Sequence, residues 1–472
     1  MKTTISNMIM VEDPSEAVRE YAKTLRLPNP EYEKKQRMGF WTGRTPKEIR
    51  LFERDGNAMV FPFGLMKDLW PMVRQGEWEL DFRQCESVEY GEPIPLYDYQ
   101  DEAVAKMLAA KYGILIAPAG SGKTQMMLRL IQTFGEKALW LCAKHDLLKQ
   151  SYDRAKEYMD ESLFGTITEG RVDIGRGVTF ATVQTLAGAD LDRLRHEWDV
   201  IVCDEVHNLA VSATTVTRYQ KVLNNLAARH KYGMTATCTR SDGLIKATFA
   251  LVGPIQYEVP ESAVADRIMK VHIRPVRTET ELTDACLADD GTLDYMRMIE
   301  HLTTDEERTK LIVRNLMDEK AHSCLILSNR IAHLEAIQRM MPYEMQEKSA
   351  MITGKMTSKK AKAEREEILN KMRTGELKYL MATYSLAKEG LDVPRLDRLF
   401  MATPEKFSSI VIQSVGRIAR VAEGKGQPVA YDFVDDRIGF CVRAWKERCR
   451  HYRKIGATVL TEMEITGACV KT

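Results

Sequence analysis

Short apolar runs alternate with longer stretches of helical periodicity over most of the chain. Between residues 93 and 260 the runs at 113–116, 138–142, 178–182, 200–203 and 230–234 predict strands. Segments such as Gln125-Met126-Met127-Leu128-Arg129-Leu130-Ile131 predict the helices between them. This alternation predicts a doubly wound, parallel α/β domain. From Asp305 it resumes, with helices predicted over 306–318, 333–340, 361–372 and 409–419. Strands are predicted there over 324–328, 350–352, 378–382, 398–401 and 429–432, giving a second α/β domain over 305–435. Residues 261–304 are mixed, contain Asp289-Asp290-Gly291, and read as a linker running into a helix. The tail, 436–472, reads as a helix with a solvated basic face around Trp445–Lys454, or as a phosphate contact.

Residues 1–92 have a different texture. Pro28-Asn29-Pro30 breaks the chain, and Asp55-Gly56 joins two alternating runs, which predicts a β-hairpin. A small α+β accessory domain is expected, followed by Pro93-Ile94-Pro95 as a connector. Phe40 and Trp41 stand among Lys and Arg residues. They can stack on bases or wedge a duplex, or they can fill a small core.

Composition narrows the class. At 472 residues the chain is too long for one core, and 44% apolar with 29% charged residues fits a globular protein. No apolar run has the length of a membrane span, and Met1–Ser6 lacks a signal-peptide core, so a cytoplasmic protein is expected. The nine cysteines form no Cys-x-x-Cys pair, which argues for a reducing compartment and against a zinc ribbon. Net charge is +1, so a nucleic-acid partner must be held by local groups.

The candidate chemistry begins at Ala117-Pro118-Ala119-Gly120-Ser121-Gly122-Lys123-Thr124, between a strand and a helix. Glycines there let backbone N–H groups turn around an anion at a helix N-terminus. Lys123 is placed to reach the β- and γ-phosphates of a nucleotide, and Thr124 to hold Mg²⁺. Ala117 replaces the usual first glycine. Val200-Ile201-Val202-Cys203 then ends in Asp204-Glu205, where parallel α/β sheets bind ligands. Asp204 is the second Mg²⁺ ligand, and Glu205 is the base for an attacking water. Arg417 and Arg420 are three apart and are expected to share one helix face, suited to a triphosphate. They lie in the second domain, so the nucleotide is expected between the domains.

These motifs, in this order, resemble a superfamily 2 helicase of the DExH type. The likeness runs from about 96 to 435 and includes Tyr99-Gln100, Thr182-Val183-Gln184-Thr185, Asp204–His207, Thr235-Ala236-Thr237, Leu327-Ser328-Asn329-Arg330 and Gln413–Arg420. Asp-Glu-Val-His with Arg240-Ser241-Asp242-Gly243 resembles the XPB-like and phage UvsW-like DNA translocases more than DEAD-box RNA helicases. Cys142-Ala143 departs from the family's proline-containing motif. The resemblance implies two tandem RecA-like domains behind the α+β accessory domain. It implies that Gln100 reads adenine, and that Ala119, Gly120, Ser121, Gly122, Gly390 and Asp392 complete the ATP site. Gln413 joins Lys123, Glu205, Arg417 and Arg420 in the catalytic set. Thr235 and Thr237 couple that site to the strand-binding face. Lys144, Thr182, Gln184, Ser328, Asn329, Thr353, Gly354, Lys355 and Thr383 touch the nucleic-acid backbone. His207 links to Gln413 or simply packs. The implied function is an ATP- and Mg²⁺-dependent DNA helicase or translocase acting on forks or junctions, in a bacterial or phage-infected cytoplasm. Three alternatives stay open: an RNA helicase, a DNA-stimulated motor that recruits a nuclease, and a non-catalytic nucleotide sensor.

Overall fold

A computed structural model of the chain describes residues 1–118, 120–209, 216–236, 244–264, 268–354, 356, 358–388, 391, 393–405 and 408–461. Two compact units emerge, one built from Met1–Pro118 with Gly122–Pro260, the other from Glu261 onward together with Ala119–Ser121. No described helix is long and apolar enough to cross a membrane, and every described cysteine is a free thiol.

The first unit contains an eight-stranded sheet. Its order is Arg171–Val172, Phe164–Thr168, Val178–Thr182, Ala138–Cys142, Val200–Cys203, His230–Thr235, Gly113–Ile116 and Ile255–Glu258. All neighbours run parallel except the short edge pair. Four of the strands keep their predicted limits, because each is buried along its whole length. His230–Thr235 runs one residue further than predicted, since Thr235 pairs with Ile116 and its carbonyl accepts the Ala117 N–H at 3.0 Å.

The N-terminal region is α+β, as its pattern predicts. Its five-stranded sheet runs Glu53–Asp55, Ala58–Pro62, Met8–Glu12, Lys2–Ile5, Glu77–Leu80, with helices Glu16–Thr24 and Met66–Val73. Asp55 pairs with Ala58, which leaves Gly56-Asn57 as the two-residue turn of the expected hairpin. The region shares its core with the large sheet: Ile9, Phe61 and Leu69 belong to the same apolar cluster as Ile114, Leu251 and Val252. Phe63 meets Tyr112 edge-on at 5.5 Å. Lys231 is buried in this joint, donating to the carbonyls of Asn7 (3.2 Å) and Leu223 (2.7 Å), with the Phe63 ring centroid 5.0 Å away. Burial lowers its pKa to about 7. Arg195 bonds Asp81 and Ser6 across the same joint. The 93–95 connector is also held down, by Ile94 N–H on Gln132 Oε1 at 2.9 Å.

The second unit is an all-parallel sheet in the order Ser349–Ile352, Tyr379–Thr383, Cys324–Ser328, Arg398–Met401, Val429–Val434, His272–Arg277, Thr458–Val459. Three sequence expectations change here. The 261–304 stretch does run into a helix, Tyr295–Thr304, but it is more than a linker, because His272–Arg277 pairs with Val429–Val434. Only Ile273 of that strand is fully buried, so no apolar run announces it. The tail helix, Gly439–Lys454, is not basic only toward solvent. Arg448 is buried, donating to both oxygens of Asp432 (2.7 and 2.8 Å) and to the Glu405 carbonyl. Finally, the helix Ser408–Ile418 stops before Arg420, so Arg417 and Arg420 do not share its face. Ala419 O accepts the Met269 N–H at 2.7 Å, and Arg420 pairs with Ile268 as an isolated β-bridge. That tertiary bond replaces the next helical turn.

Gly64, in the turn Phe63–Leu65 of the N-terminal region, packs closely on the end of the helix Ile245–Val252. A Cβ there would stand 2.2 Å from Phe249 O and 2.5 Å from Gly253 N. Both obstacles are backbone, so Gly64→Ala is expected to cost about 3 kcal/mol through overpacking. Urea denaturation of the full chain should show a lower midpoint for the first unit. An unchanged midpoint would mean that this packing is loose.

Candidate nucleotide site and strand-facing loops

The phosphate loop leaves the strand Gly113–Ile116 and enters the helix Lys123–Phe134. Gly122 caps that helix with φ +80, a left-handed conformation that L side chains resist. A Cβ at Gly122 would also stand 2.3 Å from Gln100 Nε2. Gln100 is buried, and its Oε1 accepts the Tyr97 N–H at 3.0 Å, so the amide is fixed against the loop. Lys123 Nζ donates to the carbonyls of Ala117 (3.1 Å) and Pro118 (3.3 Å), which lodges its charge in the mouth of the loop. Thr124 lies in the first turn of the helix, half-buried. Gly120 also has a left-handed backbone, and Ser121 stands between the two glycines. Ala119 lies outside the described residues.

Two strands away, Val200–Cys203 delivers the carboxylates. Asp204 N–H still bonds Leu141 O at 2.9 Å, which holds its side chain at the sheet edge. Burial and then the neighbouring Glu205 push the Asp204 carboxyl up to about 7, against the pull of Lys123. Glu205 has φ 47 and ψ 55. A non-glycine residue there costs about 1–2 kcal/mol, and such strain concentrates at functional sites. Thr235 donates to Glu205 Oε2 at 3.4 Å, and His207 Nδ1 lies 3.1 Å from the same oxygen. His207 Nδ1 is also 2.9 Å from Thr235 Oγ1. His207 therefore ties Glu205 to Thr235 within its own lobe. Gln413 sits in the helix Ser408–Ile418 of the second unit, its Oε1 buried without a hydrogen-bond partner among the described residues.

The predicted strand-facing residues cluster at strand ends. Thr182 and Cys142 are register partners, which brings the loops after Val178–Thr182 and Ala138–Cys142 together. Gln184 Nε2 bonds Ala143 O at 2.6 Å, and Lys144 is extended just before the helix His145–Lys156. Thr182 Oγ1 donates to Thr185 Oγ1 at 3.1 Å. His145, beside Lys144, contacts Thr168 Oγ1 at 3.1 Å at the end of the strand Phe164–Thr168.

In the second unit Ser328 and Thr383 are register partners. Asn329 N–H bonds Thr403 Oγ1, and Thr383 pairs with Ser385 at 3.0 Å. Thr353 is half-buried and Gly354 exposed after Ser349–Ile352. Ser328 does not face outward. It is fully buried, bonded to His333 Nδ1 at 3.0 Å and accepting the Arg330 N–H at 3.2 Å. It shapes the loop that Asn329 occupies, with His333 held neutral because burial lowers its pKa to about 3. No sequence signal marks His333, which looks like any helical histidine. Arg417 Nη1 donates to Leu391 O at 3.2 Å. Thr237, Arg240-Ser241-Asp242-Gly243, Lys355, Gly390 and Asp392 lie outside the described residues.

The described residues hold no group of three or more His, Cys, Asp or Glu able to cage a metal. The donors present, a buried carboxyl and a first-turn hydroxyl, fit a magnesium ion that takes its remaining oxygens from phosphates and water.

Known proteins show the same organisation. The family model for the type III restriction enzyme, res subunit, matches residues 93–240, and that for the helicase conserved C-terminal domain matches residues 307–422. The DNA 3'-5' translocase XPB2 of Sulfurisphaera tokodaii is 27% identical over 400 residues, which is 77% of this chain and 87% of that protein. The probable helicase D10 of Escherichia phage T5 is 24% identical over 371 residues, 78% of this chain and 75% of the phage protein. The solved structure of S. cerevisiae Dbp5 bound to RNA and ADP BeF3 superposes on 86% of this chain and 96% of its own with a TM-score of 0.53. At 16% identity that is a likeness of fold, and it fits two RecA-like domains. The matched domains and their order make the chain an ATP-dependent hydrolase with helicase domains, one that resembles the superfamily 2 helicases and among them the XPB-like translocases.

Proposed function

We propose that the chain is a DNA motor that spends ATP to move along one strand, and so unwinds or branch-migrates forks and junctions. The strained Glu205, beside the buried Asp204 and tied to Thr235 and His207, carries this reading. A residue bent at a cost, with its carboxylate fixed by two partners, suits a base that must meet one water at one angle. Lys123 exchanges the Ala117 and Pro118 carbonyls for β- and γ-phosphate oxygens. Gln100, locked by Tyr97, offers its amide to the adenine edge. Thr124 and Asp204 hold Mg²⁺, and the bound ion supplies positive charge to the phosphate oxygens. Arg417 and Arg420 supply guanidiniums to the same triphosphate, although only Arg417 lies on the helix. Lys144, Thr182, Gln184, Asn329, Thr353, Gly354, Lys355 and Thr383 position the strand without reading its sequence. Thr235, bonded to both Glu205 and His207, is where strand contact and hydrolysis communicate. DNA rather than RNA is the proposed track, and relatives named as a DNA 3'-5' translocase and a putative DNA 3'-5' helicase support it.

The test is ATP hydrolysis with no nucleic acid, single-stranded, duplex, forked and four-way DNA, and single-stranded RNA. Branched DNA is expected to stimulate turnover strongly, and Glu205→Gln to abolish it while nucleotide binding persists. Stimulation by RNA alone would move the assignment to an RNA helicase. Indifference to every nucleic acid would remove the motor reading.

A second expectation concerns the loop itself. Gly122→Ala meets both the left-handed backbone and the Gln100 amide, so ATP affinity should fall about tenfold, in line with the roughly 1–2 kcal/mol of a left-handed alanine. A fluorescent-nucleotide titration reads this directly, with the thermal midpoint as the control for folding.

A further inference from the structure

Residues 26–50 form a projection that the nucleotide site and the strand-facing loops leave unused. Its base is rigid. Arg26–Pro28 pairs antiparallel with Glu48–Arg50, and Leu27 and Ile49 enter the core. Asn29, itself buried, caps the helix Pro30–Arg37 through the Glu31 N–H at 3.1 Å. Its Nδ2 donates to Pro46 O at 2.7 Å, and its own N–H donates to Lys47 O. Lys35 Nζ reaches Thr45 Oγ1 at 2.8 Å. Both ends of residues 38–44 are therefore clamped.

What the clamp presents is apolar and exposed. Trp41 is 89% exposed, the most of any large apolar side chain described, with Phe40 at 60% and Met38 at 54%. These aromatics do not fill a core. The Trp41 ring lies over Gly43, where a Cβ would come within 3.0 Å of it, so the indole has a backing and one open face. The surroundings are cationic. Residues 26–50 carry seven Lys or Arg against three Glu, a net +4 on a chain of net +1. Among the described residues, Lys34, Arg44 and Lys47 are exposed and pair with no carboxylate.

A flat aromatic face held out among unpaired cations is complementary to a nucleobase and its phosphates. We propose that Trp41 stacks on an unpaired base at a single-stranded end or junction, while Lys34, Arg44 and Lys47 hold the adjoining phosphates. The proposal rests on the nucleic-acid motor reading for the identity of the ligand and adds a contact outside both motor lobes. Every base has a π-face, so this contact discriminates unpaired from paired DNA rather than one sequence from another.

The experiment uses the full chain, its Trp41→Ala, Trp41→Phe and Arg44→Glu variants, and a fork whose single-stranded arm carries 2-aminopurine. Without nucleotide, Trp41→Ala should bind the fork about tenfold more weakly and lose the fluorescence change that stacking causes, and Trp41→Phe should recover most of both. Arg44→Glu should weaken binding and flatten its dependence on salt. ATP hydrolysis without nucleic acid should stay at the wild-type rate in all three. A Trp41→Ala variant that binds the fork and perturbs 2-aminopurine like the parent would overturn the proposal and leave the motor intact. The same holds if the variant instead loses only binding to anionic lipid vesicles, which would reassign the projection to a membrane surface. Failure of any nucleic acid to stimulate hydrolysis in the parent is the separate result that removes the motor reading.

Discussion

Parallel pairing at one edge of the first sheet sets the whole nucleotide site. Thr235 lies beside Ile116, and Cys203 lies between Leu141 and Gly233. Because the strands run the same way and in register, the chain leaves all of them at the same edge. The phosphate loop, the Asp204-Glu205 turn and the Thr235 hydroxyl are neighbours for that reason, although 118 residues lie between Ile116 and Thr235 in the chain. Each local distortion is then affordable. Glu205 holds its left-handed backbone because two side chains from the same edge grip its carboxylate, and Asp204 stays buried because Lys123 offers charge nearby.

How much of this the sequence discloses follows from burial. Strands covered on both faces, such as 138–142 and 324–328, show as unbroken apolar runs and were legible to the residue. His272–Arg277 was not, since one buried isoleucine, a proline and two arginines make no strand pattern. Helix ends set by distant backbone were also hidden. Nothing near Ala419 in sequence announces that the Met269 N–H will take its carbonyl, and the expected face shared by Arg417 and Arg420 was lost there. Polar residues misled in a different way. Ser328 reads as an exposed hydroxyl in a strand-binding motif, and Arg448 as one cation of a solvated face, yet both are buried because a partner, His333 or Asp432, waits in another element.

The N-terminal region shows the same ambiguity with the opposite outcome. Phe61, Phe63, Phe40 and Trp41 are alike in composition. The first two close a core shared with the large sheet, and the other two stand in solvent. What separates them is backbone: the first pair lies on or beside a strand that pairs with Met8–Glu12, the second on a loop fixed only at its ends. Asn29 is central to that difference, since one short amide both starts a helix and anchors the returning chain.

Lys231 gives the joint between this region and the motor lobe a chemical character of its own. In the unfolded chain a lysine ammonium titrates near about 10.4. In the fold, burial brings Lys231 to about 7. Between those limits the folded chain holds less of a proton than the unfolded one, so folding around Lys231 releases acid and its contribution to stability rises with pH. Below about 7 both states are protonated, and the full cost of the buried charge is present. The carbonyls of Asn7 and Leu223 thus act as a proton-linked fastening, and alkalinity draws it tight.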